Sequence, residues 1–194
     1  MHSIIESLPI DGPLTATLAS GRQIQFVDRQ IIVWVSVSPV TVIGLSTNTP
    51  RLPAVLDTGF NSTFAINEEQ LTGWAGVELS RLREFPEDLA GLTTVRGQRV
   101  PSYEAVVWLH SNVPGQRDVL QDRPAFWTNP HPGILVLPPQ LAPRLPLIGL
   151  KMIEQNGLQV SLDPVATGDW AINFRVKCSI QSALPPMPHI HPTE

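Results

Sequence analysis

In the stretch AVLDTGFNSTFAI, residues 54 to 66, a lone acid follows an apolar run that otherwise reads as a buried strand. A carboxylate at the end of such a strand is costly unless it is hydrogen-bonded, paired or neutralised. The two residues after Asp57 supply a means. Thr58 brings a hydroxyl that both donates and accepts, and Gly59 lets backbone approach closely and frees its own amide to reach the acid. Asp57-Thr58-Gly59 is therefore built to present a carboxylate in a tight turn.

Other chemistries find weaker support. No Gly-x-Ser-x-Gly elbow occurs, nor a phosphate loop ending in Gly-Lys-Ser/Thr, nor a Cys-His arrangement of recognisable spacing. His189 and His191 lie in a polar, proline-rich tail without further ligands, so no metal is expected. Cys178 reads as a small apolar residue near the end of the fold. Glu68 and Glu69 read as first-turn charges of a helix, and Arg81 and Arg83 as a solvated face. Trp74, Trp108, Trp127 and Trp170 are scattered as packing residues would be.

The elements that must hold Asp57 follow from the pattern around it. Leu14 to Leu45 is β-branched and partly alternating, with turn chemistry at Ser20-Gly21 and near Pro39, and predicts a strand meander in which IIVWVSVSPVTVIGL forms two strands. The polar loop STNTPRLP leads into the strand ending at Asp57. STFAI is again extended, and NEEQLTGW predicts a short helix with Asn67 as its N-cap. ELSRLREFPEDLAGL allows a further helical turn or two, interrupted at Pro86. TTVRGQRVPSYEAVVWLH predicts a hairpin turning at Arg96-Gly97, its second arm running on to Leu109. Residues 110–146 read as a long proline-rich connection with one apolar strand, GILVL. PLIGLKMIEQNGLQVSLDP predicts strand, glycine, short helix, an Asn156-Gly157 turn and a strand; a last hairpin has DPVATGD as its loop and WAINF as its second arm.

The totals agree with a mainly β chain. Its 194 residues, 42% hydrophobic, suffice for one core, and 20 prolines suit short strands joined by turns. The predicted organisation is a single domain over 1–178, with a meander at 14–45, a core at 50–175 and an insertion at 110–146, followed by a disordered tail over 179–194. A net charge of -4 with only 15% charged residues offers no surface for a phosphate backbone, so nucleic acid is not an expected partner. The apolar run 31–45 is too short for a membrane span. The N-terminus lacks the basic, apolar pattern of a secretory signal, and one cysteine permits no intramolecular disulfide, so the expected compartment is the cytoplasm.

AVLDTGFNSTFAI, followed by VRGQRVPSYEAVVWL and LPLIGLKMIEQNGLQVSLD in that order, resembles the retropepsin-like aspartic proteases, and among them the bacterial single-domain group. The resemblance covers most of residues 50 to 175 and implies a closed β-barrel, one lobe per chain, with one or two short helices. It implies an aspartic endopeptidase in which two carboxylates share a proton and a water. No other aspartate of the chain is followed by Thr-Gly or Ser-Gly, so such a site needs a homodimer in which Asp57 faces its own copy about a two-fold axis. By the same resemblance Thr58 braces the two loops, Gly59 turns the loop or contacts substrate, and Ile148-Gly149 packs beside it. The hairpin carrying Val95, Arg96, Gly97 and Gln98 closes over an extended peptide or protein substrate, with Phe60, Phe64, Val95 and Ile148 lining pockets or serving as core. No cofactor or metal is implied. A rival reading keeps the fold as a non-catalytic peptide-binding or dimerisation module; a hairpin tip with one glycine, Lys151 after the Ile148-Gly149 pair and the proline-rich insertion favour it.

Overall fold

The computed structural model describes residues 2–9, 15–27, 29–86, 94–113, 125–131, 133–165, 175–182 and 189–190. After β1 (His2–Pro9), the strands β2 (Thr15–Thr17) and β3 (Gln23–Gln25) form an antiparallel pair. Its turn is the expected one, with Gly21 at φ 80° donating to the Leu18 carbonyl at 2.9 Å. The 31–45 run does split into two strands, β4 (Ile32–Pro39) and β5 (Leu45–Ser46). Every residue of β4 is buried, its serines included. They are tolerated because Ser36 Oγ donates to the Pro50 carbonyl at 2.7 Å and Ser38 Oγ accepts from Trp108 Nε1 at 2.9 Å.

β6 (Leu52–Leu56) ends immediately before Asp57, and β7 (Phe64–Asn67) leads into α1 (Glu68–Gly73). Asn67 is the N-cap, as its type suggested, in a reciprocal capping box with Gln70. Of the helical turn or two allowed within 78–92, one forms in the described part. A single 3-10 turn at Leu79–Arg81 gives way to β8 (Arg83–Glu84), which pairs with a neighbouring strand, while 87–92 lies outside the described residues. Glu78 makes no side-chain cap, and strand pairing takes the backbone groups instead.

β9 (Thr94–Val95) and β10 (Gln98–Arg99) form the expected hairpin. Arg96 and Gly97 both have positive φ, 49° and 77°, the primed turn that matches strand twist. Its second arm does not run straight to Leu109. Pro101, without an N–H, interrupts the ladder, and β11 (Ser102–His110) starts afresh. The connection 110–146 contains more than GILVL: β12 (Ala125–Trp127) pairs with β11, and β13 (Ile134–Leu137) pairs with both β11 and β7. Then come β14 (Leu147–Ile148), α2 (Leu150–Gln155), β15 (Leu158–Val165), β16 (Arg175–Ser182) and β17 (His189–Ile190).

The chain is mainly β, and six strands close on themselves in the order β11, β13, β7, β14, β6, β4 and back to β11. Closure removes the open edges that a flat sheet would expose. The meander expected over 14–45 stops at β3, because β4 pairs with β6 and β11. Alternation along the strands divides the side chains. Phe64, Ile66, Ile134, Val136 and Ile148 enter the main core, which extends from Ile4 to Ile180. Ala65, Leu135, Leu137 and Leu147 face the other way, into a smaller outer cluster.

A separate sheet joins the chain ends in the order β1, β16, β15. The last hairpin thus has Leu158–Val165 and Arg175–Ser182 as its arms; the expected arm WAINF lies outside the described residues. Residues 179–182, expected in a disordered tail, complete β16, and His189–Ile190 pairs in parallel with β5. Pairing with β1 and β15 and burial of Ile180 and Ser182 hold the end of β16 in place. Among the described residues no helix is long and apolar enough to cross a membrane.

Candidate functional site

Asp57 sits where β6 ends, and its position is fixed from three sides. Its N–H donates to the Ile148 carbonyl at 2.8 Å, its carbonyl accepts from Phe60 N–H at 3.1 Å, and its Oδ1 accepts from Gly59 N–H at 2.9 Å. The last contact is the amide-to-acid bond that the Asp-Thr-Gly order suggested. Asp57 as a residue is partly buried, whereas Thr58 and Gly59 are exposed. A half-sheltered acid with an exposed rim can meet a ligand or a second copy of the loop.

The support beneath the turn comes from β14. This two-residue strand lies between β6, to which it runs parallel, and β7, to which it runs antiparallel. The loop joining β6 to β7 must therefore pass over it. Gly149 N–H donates to the Thr63 carbonyl at 2.8 Å, Leu150 N–H to Phe60 at 2.9 Å, and Lys151 N–H to Ser62 at 3.2 Å. The contact is so close that a Cβ at Gly149 would stand 2.2 Å from Ser62 O and 2.4 Å from Phe60 O. Thr63, buried, donates its hydroxyl proton to the Gly133 carbonyl and ties the far end of the loop to β13.

Of the residues expected to bind substrate, the fold brings Phe60 and Val95 to one place. Both pack against the outer cluster of Ala65, Val100, Leu135 and Leu137, so the hairpin β9–β10 stands beside the Asp57 loop. Arg96, Gly97 and Gln98 form its exposed tip. Comparison with protein-family models, with curated proteins and with solved structures finds no match.

Of the four residues read as pocket lining or core, two are core. Phe64 and Ile148 are 0% and 1% exposed, inside the main core, because the pleat turns them inward. Ile148 serves the loop through its carbonyl. Gly149 is likewise buried and supports the loop without reaching solvent. Among the described residues no group of three His, Cys, Asp or Glu could hold a metal ion. Residues that sequence reasoning passed over are Thr63 and Gln70, whose side-chain amide, 2% exposed, donates to the carbonyls of Pro143 and Arg144 and fastens α1 to that loop. The Asn-x-x-Gln spacing of the capping box was a usable signal for Gln70.

Proposed function

We propose that the protein is an aspartic endopeptidase of the retropepsin-like type, acting as a homodimer in which two Asp57 carboxylates flank one water. The observation that carries this reading is the Asp57 turn: an acid held by Gly59 N–H and by the Ile148 carbonyl, with Thr58 and Gly59 exposed on its rim. Such a turn presents a carboxylate to a two-fold partner without internal rearrangement. One carboxylate takes a proton from the water as it attacks the scissile carbonyl, and the other, protonated, donates to the carbonyl oxygen. The hairpin beside the loop shelters an extended peptide, which pairs through its backbone while Phe60 and Val95 border its side chains.

The deciding experiment incubates the purified protein and Asp57→Asn with a mixed peptide library from acidic to neutral pH, after sedimentation has established the oligomeric state of each. Asn is isosteric and keeps an acceptor for Gly59 N–H, so the turn persists while the acid is gone. Cleavage by the wild-type dimer, lost in Asp57→Asn, is the expected result. A folded wild-type dimer that cuts nothing, or a variant that cuts as well, overturns the proposal and favours a non-catalytic peptide-binding module.

A further inference from the structure

Asn156-Gly157, the turn expected after α2, is the one Asn-Gly pair in the chain, and Gly157 takes the positive φ of 57° that suits it. The pair has a chemistry of its own. Glycine has no side chain to shield its amide nitrogen, so in an open chain this nitrogen reaches the preceding carboxamide more easily than any other residue's does. Gly157 N, giving its proton to hydroxide, bonds to Asn156 Cγ as the Cγ–Nδ2 bond breaks, and ammonia leaves with a proton from water. Water then opens the cyclic imide at either carbonyl, leaving aspartate or an isoaspartyl linkage at 156. Nothing is oxidised or reduced, and the net change is amide plus water to acid plus ammonia.

The fold blocks the first step. Gly157 N–H donates to the Glu154 carbonyl at 3.2 Å, so the nucleophile is tied back to the end of α2. Asn156 has ψ 8°, which eclipses its own nitrogen with Gly157 N, whereas ring closure needs Cβ in that place. Its carboxamide is held at both ends. Oδ1 accepts from Asn129 N–H at 2.7 Å and Nδ2 donates to the Met152 carbonyl at 2.8 Å, and the residue is 6% exposed. Both partners are backbone groups whose roles cannot be exchanged, so only an amide satisfies them together. A carboxylate keeps the bond to Asn129 and sets its second oxygen against the Met152 carbonyl, acceptor to acceptor and charged in a buried place. An isoaspartyl linkage routes the main chain through Cβ and lengthens it just before β15 begins at Leu158.

We infer that Asn156-Gly157 is a modification site gated by folding: the pair deamidates when α2 and the Asn129 segment part, and the native clasp between them prevents it. The clasp joins two fixed pieces. Thr128 Oγ1 donates to the Val107 carbonyl at 2.6 Å and so holds the Asn129 segment to β11, while α2 carries Leu150 and Lys151, whose N–H groups hold the Asp57 loop. Once the amide has become an acid the clasp is not remade. Local opening is ordinarily reversible, but here an opening that reaches the chemistry leaves α2 permanently loosened. Water is the only co-reactant. The inference is independent of any catalysis at Asp57.

The test incubates the folded protein and the urea-unfolded protein in mildly alkaline buffer and follows amide-to-acid conversion at each asparagine by peptide mapping. A synthetic peptide of residues 151–161, with and without urea, corrects for the solvent. In the unfolded chain Asn156 is expected to convert first of the seven asparagines. In the folded protein its conversion is expected to be about a hundredfold slower or more, the effect of having to break the two clasp bonds and the Gly157 bond together. Protein converted in urea and then refolded should exchange its Ile153, Asn156 and Gly157 amide hydrogens at least about tenfold faster than unconverted protein. Asn156→Asp, which supplies one product in pure form, should show the same faster exchange or fail to refold. A corrected rate in the folded protein within about tenfold of the unfolded rate overturns the inference. So does conversion of another asparagine ahead of Asn156 in urea, or an Asn156→Asp protein whose α2 amides stay as protected as in the wild type.

Discussion

Gly149→Ala isolates the physical basis of the Asp57 turn. Gly149 has φ -105°, which any residue adopts, so a substituted alanine meets no backbone penalty and its effect is steric. The new Cβ would stand 2.2 Å from Ser62 O, 2.4 Å from Phe60 O and 2.7 Å from Phe60 Cδ1. Two of these are backbone atoms that move only with the loop. Overpacking of this kind costs about 1–3 kcal/mol. Displacing the loop also weakens the bonds from Gly149, Leu150 and Lys151 to Thr63, Phe60 and Ser62, each worth about 0.5–1.5 kcal/mol. A total loss of roughly 2–5 kcal/mol is expected by urea denaturation, with the Asp57 and Gly59 amides losing hydrogen-exchange protection first. The control is Gly97→Ala, at φ 77° with open space around it, which pays only the left-handed backbone penalty of about 1–2 kcal/mol. If Gly149→Ala is no more destabilising than a conservative surface change and the Asp57 amide stays protected, the account of how the turn is supported is wrong.

Asn67→Ala removes the acceptor for Gln70 N–H and should cost about 1 kcal/mol, read as a lower thermal midpoint, while Asn67→Asp should be nearly neutral. Thr63→Val keeps the shape and leaves the Gly133 carbonyl without this donor; a loss of about 1–3 kcal/mol in urea unfolding is expected. Tyr103 has its pKa raised above 10.0 in the folded chain, chiefly by burial, so its contribution is complete below pH 10 and declines as pH rises from there through the folded value. Tyr103→Phe should therefore flatten the alkaline limb of the stability profile and leave stability's pH dependence near neutrality unchanged. Arg96→Gly relieves a positive φ of 49° in an exposed turn and should shift stability by less than about 1 kcal/mol, toward greater stability.

Local chemistry made much of this fold legible. The end of β6 at Leu56, the Asn67 cap, the Arg96-Gly97 turn and the helix after Gly149 each rest on contacts within a few residues, and the residue types carry them. What sequence did not disclose is pairing at long range. Nothing in LPLIG says that Leu147–Ile148 lies between β6 and β7, since a two-residue strand has no period to read. β4 hid its neighbours for a different reason: buried on both faces, it lacks the alternation that would assign each side. Ile148 was half-legible, because its closeness to Asp57 followed from the resemblance, while the inward direction of its side chain depends on pleat and register. A groove around Trp74 and Tyr103 draws residues from four distant segments, and no local spacing announces it.

The place of β14 between two earlier strands also orders events during synthesis. β6 can pair with β4 as soon as both have emerged, but the Ile148 carbonyl that accepts from Asp57 N–H arrives about ninety residues after Asp57. Pairing at such sequence distance forms late because the intervening chain must first be closed into a loop. A product that ends just upstream of residue 147 has the whole AVLDTGFNSTFAI segment, with β4 and β13 to pair with β6 and β7, but lacks the bonds from β14 and α2 to the loop between them. The Asp57 turn therefore gains its last support only after β14 has been made.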